Sequence, residues 1–140
     1  MRLLSEIIKD DLNPEDFETF LLKLKKHKIA CMDMIRSVNV PDERLSAING
    51  EGYSDAKLIN NKIQREHNTS YILNTIGQNE NINVYSTWGT GPQIASWANE
   101  TKKIENIIPL VSPSMAARVP AGTEKFKFML EDWTFKINSK

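Results

Sequence analysis

Apolar side chains in the first 77 positions recur three or four residues apart, which is the spacing of a helix with one buried face. This pattern predicts a short helix at the start of the chain and a second helix that opens at Asn13 or Pro14. No glycine or proline interrupts residues 15–38, so the pattern favours one long helix. The alternative is a break near Lys28, where lysines cluster as they do in a last helical turn.

Two further helices are predicted before residue 78. A short one begins at Pro41 and runs to Ile48. Ser54 then caps a long helix over residues 55–76, which Gly77 ends. His67 lies on the same side of this predicted helix as its inward-facing apolar residues.

After Gly77 the period of the pattern changes from about 3.6 to 2, which predicts strands. Residues 82–88 and 104–111 read as extended stretches on either side of a short helix over 93–100. The last stretch alternates apolar and polar positions in two runs, 126–130 and 133–137. Because the apolar phase slips between them, we predict two strand segments joined by a turn or a bulge at Glu131 and Asp132.

These elements define an α+β fold, with an N-terminal layer of three to four helices packed on a small, mostly antiparallel C-terminal sheet. The length of 140 residues predicts a single domain over 1–140, with residues 1–77 mainly helical and residues 78–140 mixed and holding most strands. Several amphipathic helices offer more apolar face than one small sheet covers, so we expect a homo-oligomer.

Charge and cysteine content narrow the class of protein. Eighteen basic and eighteen acidic side chains cancel, so the chain lacks the overall charge that draws proteins to nucleic acid, and we expect no nucleic-acid partner. No apolar run approaches the ~20 residues of a membrane helix, and the N-terminus lacks a signal core, so we expect no membrane association. A single cysteine, Cys31, fits a reducing compartment and predicts a cytoplasmic protein.

The stretch "STWGTGPQIASW" (86–97) is the most distinctive feature of the sequence, because it predicts a strand, a turn on two glycines and a helix. Such a turn either only reverses the chain or offers backbone N–H groups to an anion. In the second interpretation Trp88 supplies a stacking face. The donors of the candidate ligand site are then Gly89, Thr90, Gly91 and Gln93.

Arg118 is the only arginine of the second half, and it is the candidate anion clamp of this ligand site. The cluster Lys23, Lys25, Lys26 and Lys28 is either a solvated helix face or a surface for an acidic ligand. His27 and Cys31 are four residues apart, a metal-ligand spacing on one helix, but the sequence holds one other histidine and we expect no metal. No motif marks a catalytic residue, and we expect no cofactor.

Two segments resemble a known family. The stretches "FETFLLKLKKHK" (17–28) and "FMLEDWTF" (128–135) resemble the basic helix that opens, and the acidic-Trp strand that closes, small phage anti-defence proteins that inhibit Thoeris. Here no tryptophan precedes Trp88, whereas the family has an early one. The resemblance implies an oligomeric, non-catalytic protein that sequesters a cyclic ADP-ribose-like signal in the host cytoplasm, with Asp132 and Trp133 in the ligand site.

The sequence therefore predicts a non-enzymatic binding protein that captures a nucleotide-like or phosphate-bearing small molecule. Catalytic motifs are scarce, while aromatic side chains and backbone donors are plentiful. A small enzyme acting on a nucleotide or sugar phosphate is the second hypothesis, and it would use His67, Cys31 or Glu66. The third is a structural or assembly subunit that binds a protein partner.

Overall fold

The computed structural model describes residues 2–12, 16–49, 55–79, 81–88, 99–114 and 117–139. The chain divides into two compact units, the first formed by Met1–Met32 with Ile108–Lys140 and the second by Asp33–Ile107. The length of the chain predicts a single domain, that is, one cooperatively folding unit, and this stays a prediction. The predicted glycine turn at Gly89, Thr90 and Gly91, with Gln93, lies outside the described residues.

The described residues form helices with short strands interspersed among them. The helices are α1 (Arg2–Ile8), α2 (Phe17–Lys26), α3 (Leu45–Asn49), α4 (Asp55–Asn60), α5 (Thr69–Gly77) and α6 (Lys125–Asn138), with a 3-10 helix at Asp42–Arg44. Residues 99–101 are also helical. The strands are β1 (Ile35–Asn39), β2 (Gln64–His67), β3 (Tyr85–Ser86) and β4 (Ile108–Pro109). The α+β class is confirmed, as are the first short helix and the short helix before residue 50.

The prediction of one helix over residues 15–38 is wrong, because α2 ends at Lys26. Lys28 adopts a left-handed conformation with a φ of 54°. The amide of Ile29 donates to the carbonyl of Leu24 over 2.9 Å, and the amide of Lys28 donates to that of Lys25 over 3.1 Å. These two bonds form a Schellman motif, which satisfies the last carbonyls and turns the chain away from the helix axis.

The predicted long helix over residues 55–76 is also wrong, and the cause is the same. Lys62 has a φ of 52°, and the amide of Ile63 donates to the carbonyl of Leu58 over 2.9 Å, so a second Schellman motif ends α4. The chain then forms β2 before α5 begins at Thr69. One predicted helix is therefore a helix, a strand and a helix.

Strands β1 and β2 form an antiparallel pair within the second unit. Ile35 lies opposite His67, whereas Ser37 lies opposite Glu66, so the register shifts by one residue at Arg36. This irregularity is a β-bulge, in which one strand carries an extra residue. Both strands precede residue 77, in the part of the chain that the sequence predicts to be mainly helical.

The two strand segments predicted at the C-terminus are wrong as well, because residues 125–138 form the single helix α6. The carboxylate of Glu124 caps this helix by accepting from the amides of Phe126 and Lys127 over 2.9 and 2.7 Å. Met129 and Trp133, one helical turn apart, are its buried residues. The bulge or turn predicted at Glu131 and Asp132 therefore lies inside a helix.

Each unit has its own set of buried apolar residues. In the first unit α1 contacts α6, and the guanidinium of Arg2 lies 4.3 Å from the ring centre of Phe126. The buried side chains of this unit are Leu3, Leu12, Leu24, Leu110, Met129 and Trp133. Those of the second unit are Ile48, Ile63, Ile72 and Ile104, with the polar Thr69. Among the described residues, none of the helices has the length and apolar composition of a membrane span.

Candidate functional site

The residues that were predicted from the sequence to bind a ligand, and that the structure describes, fall into two groups. Trp88 lies in the second unit, where it is half-buried and its amide donates to Ser86 Oγ over 3.3 Å. Arg118, Asp132 and Trp133 belong to the first unit, and Arg118 is exposed. Of these three, the structure brings together Asp132 and Trp133.

Asp132 and Trp133 hold the segment that follows β4. Asp132 Oδ2 accepts from the amide of Val111 over 2.9 Å, and Trp133 Nε1 donates to the carbonyl of the same residue over 2.8 Å. Lys136 Nζ lies 2.6 Å from Asp132 Oδ1 and donates to the carbonyl of Pro109 over 2.7 Å. The polar groups of Asp132 and Trp133 are thus engaged within the chain, and the ligand contact that the resemblance implies for them stays a prediction.

A partly buried cluster of polar and ionisable side chains lies in the second unit, and we name it the Glu100 cluster. Strand β2 places Arg65 and His67 on the same side, because alternate residues of a strand face the same way. Glu100 lies in the helical residues 99–101. The cluster consists of Arg65, His67, Thr69, Glu100 and Lys103.

Glu100 is the centre of this cluster. Its Oε2 accepts from the buried hydroxyl of Thr69 over 2.8 Å, and its Oε1 lies 2.5 Å from Lys103 Nζ. His67 Nδ1 lies 4.0 Å from the same Oε1. The side chains of Glu100 and His67 are 16% and 22% exposed, so solvent reaches the cluster only in part.

The charges of the cluster act on one another. The hydrogen bond from Lys103 and then that from Thr69 lower the pKa of Glu100, which therefore stays ionised. Burial lowers the pKa of Arg65, and the negative charge of Glu100 opposes that effect. His67 Nε2 is buried and has no hydrogen-bond partner in the described part of the chain. A buried polar atom of this kind is unusual in a folded protein and indicates a place where a ligand or water binds.

The opposite side of the β1–β2 pair is exposed and carries its own polar contacts. Glu66 accepts from the guanidinium of Arg36 and from the hydroxyl of Ser37, each over 3.1 Å. An open depression of about 250 Å³ lies on this pair of strands, and Arg65 is one of its lining residues. Arg65 therefore borders both the Glu100 cluster and an opening to solvent.

A second charged cluster lies in the first unit around Asp10. Asp10 Oδ2 lies 2.8 Å from both His27 Nε2 and Lys26 Nζ, and Lys23 Nζ lies 3.6 Å from Oδ1. The contacts with His27 and then Lys26 hold the pKa of Asp10 far below its usual range. The predicted lysine cluster is thus partly engaged by one carboxylate, and the exposed Lys25 extends its positive surface.

The structure does not support the metal-ligand spacing of His27 and Cys31, since α2 ends before His27 and the two residues do not share a helix. Cys31 is exposed. Across the described ranges, no group of three or more histidine, cysteine, aspartate or glutamate side chains could hold a metal ion.

No protein-family model matches this chain, and no curated protein or solved structure matches it. Sequence reasoning singled out His67 but missed Glu100, Arg65 and Lys103. Glu100 ends the predicted helix over 93–100 and Lys103 follows three residues later, and this spacing was the one local signal for the cluster.

Proposed function

We propose that this chain is a non-enzymatic binding protein that captures a nucleotide-like or phosphate-bearing small molecule, with the Glu100 cluster as its anion-recognition group. The observation that carries the proposal is the buried Nε2 of His67, which lacks a hydrogen-bond partner among the residues that the structure describes and lies in a cluster with more basic than acidic side chains. A ligand oxygen that accepts from this nitrogen would satisfy it.

The charge balance of the cluster favours an anion. Arg65 and Lys103 are cationic, and Glu100 supplies the one negative charge, so the cluster is positive even with a neutral His67. Protonation of His67 adds a further charge. A phosphate monoester carries about −1.5 to −2 charges at neutral pH and so complements this excess.

The geometry of the cluster suits a phosphate more than a single carboxylate. A guanidinium such as that of Arg65 is planar and can bind two oxygens of a phosphate at once. Lys103 already neutralises Glu100 at 2.5 Å, which reduces the repulsion that the carboxylate would exert on an anion. Partial burial strengthens each of these contacts relative to bulk water.

A search for bound ligand is the first experiment. Protein purified gently is denatured by heat, and the released small molecules are identified by mass spectrometry. Inorganic phosphate, AMP and ADP-ribose are then titrated into the ligand-free protein by calorimetry. We expect a phosphate-bearing molecule to be released or bound, and a protein that releases none and binds none of the three probes contradicts the proposal.

Two arginine variants test the site. Arg65→Gln removes a charge-assisted donor from the Glu100 cluster, and such a bond is worth about 1.5–3 kcal/mol, so affinity should fall by roughly ten-fold or more. Arg36→Gln is the matched control, because Arg36 contacts Glu66 on the exposed side of the same strand pair. Equal affinity of the two variants would refute the assignment of this site.

The residues proposed from the sequence belong in the same titration. Trp88→Leu removes the predicted stacking face, and Arg118→Gln removes the predicted clamp. The resemblance to Thoeris-inhibiting phage proteins makes cyclic ADP-ribose-like nucleotides in the host cytoplasm the first ligands to add to the screen. Unchanged affinity in both variants removes Trp88 and Arg118 from the proposed site.

One observation favours a second function, that of a small enzyme acting on a nucleotide or sugar phosphate. The imidazole of His67 lies 4.0 Å from Glu100, and a histidine beside a carboxylate is a common acid–base pair. Incubation of nucleotides and sugar phosphates with the protein, followed by chromatography, distinguishes the two functions. Intact recovery of every compound favours capture, whereas turnover that Glu100→Gln abolishes favours the enzyme.

A further inference from the structure

We propose that the exposed face of α2 binds a second copy of this chain, with the two helices antiparallel across a two-fold axis. The face consists of Phe17, Glu18, Leu21, Leu22 and Lys25, and we name it the α2 face. This proposal does not depend on the proposed ligand.

The α2 face is apolar and exposed. Phe17, Leu21 and Leu22 are 71%, 47% and 67% exposed, respectively. The buried Leu24 borders this face one turn after Leu21, and the opposite side of the helix carries Lys23, which contacts Asp10. Apolar side chains grouped on one exposed face of a helix are typical of a protein–protein contact.

The charges on this face identify a second copy as the partner. Glu18, Leu21, Leu22 and Lys25 occupy positions i, i+3, i+4 and i+7, which form one stripe along the helix. Along the stripe the side chains are therefore acidic, apolar, apolar and basic, in that order. When two such stripes pack antiparallel, each end meets the opposite charge of its partner.

The register follows from the same spacing. An axis that passes between Leu21 and Leu22 places each leucine against the other leucine of the second copy. It also places Glu18 against the partner's Lys25 and Lys25 against the partner's Glu18. A two-fold axis produces each contact twice, which is the property of an isologous dimer. A parallel arrangement would place like charges together.

The size of the α2 face limits the expected affinity of the dimer. A helix of ten residues is about 15 Å long, and one face of it buries less than the ~800 Å² per partner of a standard interface. We therefore expect a dimer with a dissociation constant of about micromolar or weaker. Sedimentation equilibrium from about 5 to about 500 µM covers this range.

Charge reversal tests both the partner and the register. Glu18→Lys creates two like-charge contacts in the dimer, and Lys25→Glu does the same with the opposite sign. Each reversal changes attraction to repulsion at two symmetric positions, so dimerisation should weaken by roughly ten- to thirty-fold. The double variant Glu18→Lys with Lys25→Glu restores opposite charges and should dimerise like the parent.

Mixing the two single variants gives the sharpest result. Each alone is expected to dimerise more weakly than the parent, and together they should form a heterodimer, since one carries two bases and the other two acids on the α2 face. Glu6→Lys, an exposed change on α1, is the matched control and should dimerise like the parent. Circular dichroism verifies that every variant is folded.

Three results would overturn the proposal. The first is a parent protein that stays monomeric over the whole concentration range. The second is a dimer that neither reversal weakens more than Glu6→Lys does. The third is a pair of weakened single variants that fail to associate when mixed, because that result excludes the antiparallel register.

Discussion

Trp133 offers the most direct test of how α6 is held in the first unit. Its side chain is 6% exposed, and its indole Nε1 donates to the carbonyl of Val111 over 2.8 Å. Trp133→Phe keeps an aromatic ring but removes this donor and part of the buried ring. We expect it to lower the free energy of unfolding.

The magnitude follows from these two losses. A hydrogen bond contributes about 1 kcal/mol, and the carbonyl of Val111 is left without this donor. The smaller ring removes roughly another 1 kcal/mol of buried apolar contact. The expected loss is therefore about 2 kcal/mol. Phe135→Leu is the matched control on the same helix, because Phe135 is 74% exposed and its change should stay within about 0.5 kcal/mol.

Urea unfolding followed by circular dichroism measures these changes, and hydrogen exchange of the α6 amides localises them. Asp132→Ala removes the acceptor of the Val111 amide, so it acts on the same segment as Trp133→Phe. The double variant should lose less stability than the sum, with a coupling of about 0.5 kcal/mol or more. A Trp133→Phe protein as stable as the Phe135→Leu control would refute this account, and loss of ligand binding without loss of stability would favour the role that the resemblance implies.

Two further predictions concern a helix cap and pH. Glu124→Ala removes the acceptor for two amides at the start of α6 and should cost about 0.5–2 kcal/mol by urea unfolding, whereas Glu131→Ala, exposed in the middle of the same helix, should cost less. The pKa of Glu100 is lowered in the folded state, so its contribution to stability is present above its unfolded pKa and is lost as pH falls below about 4.5. Glu100→Gln should therefore flatten the fall in unfolding free energy between about pH 5 and pH 3, and an unchanged slope would contradict the assignment.

The sequence was sufficient for the class of fold but not for the ends of its helices. Both predicted long helices fail at a Schellman motif in which lysine takes the left-handed position and isoleucine follows. The segments are "LKKHKI" (24–29) and "LINNKI" (58–63). Glycine is the usual residue at that position, and a search for glycine as the stop signal passes over both sites.

The C-terminal helix was missed because its apolar residues fit two periods. An alternating strand pattern places Phe128 and Phe135 among the inward-facing residues. In α6, however, Phe128 is half-buried and Phe135 is exposed. A helical stripe selects instead Phe126, Met129, Leu130, Trp133 and Ile137, which include both buried residues of α6. Met129 distinguishes the two, because a strand pattern has no place for it and a helix requires it.

The candidate site was not predicted from the sequence, because the segment that forms strand β2 was assigned to a helix. On a helix, residues two apart point to different sides, so the predicted helix over 55–76 separated Arg65 from His67. On strand β2 they face the same side, where both lie near Glu100. The partner residues are more than thirty positions away in the chain, and local spacing contains no information about such a contact. The prediction of a site thus depends on whether each segment is assigned as a helix or a strand. A wrong assignment places the residues of the site on different sides of an element, and the site is then not recognised.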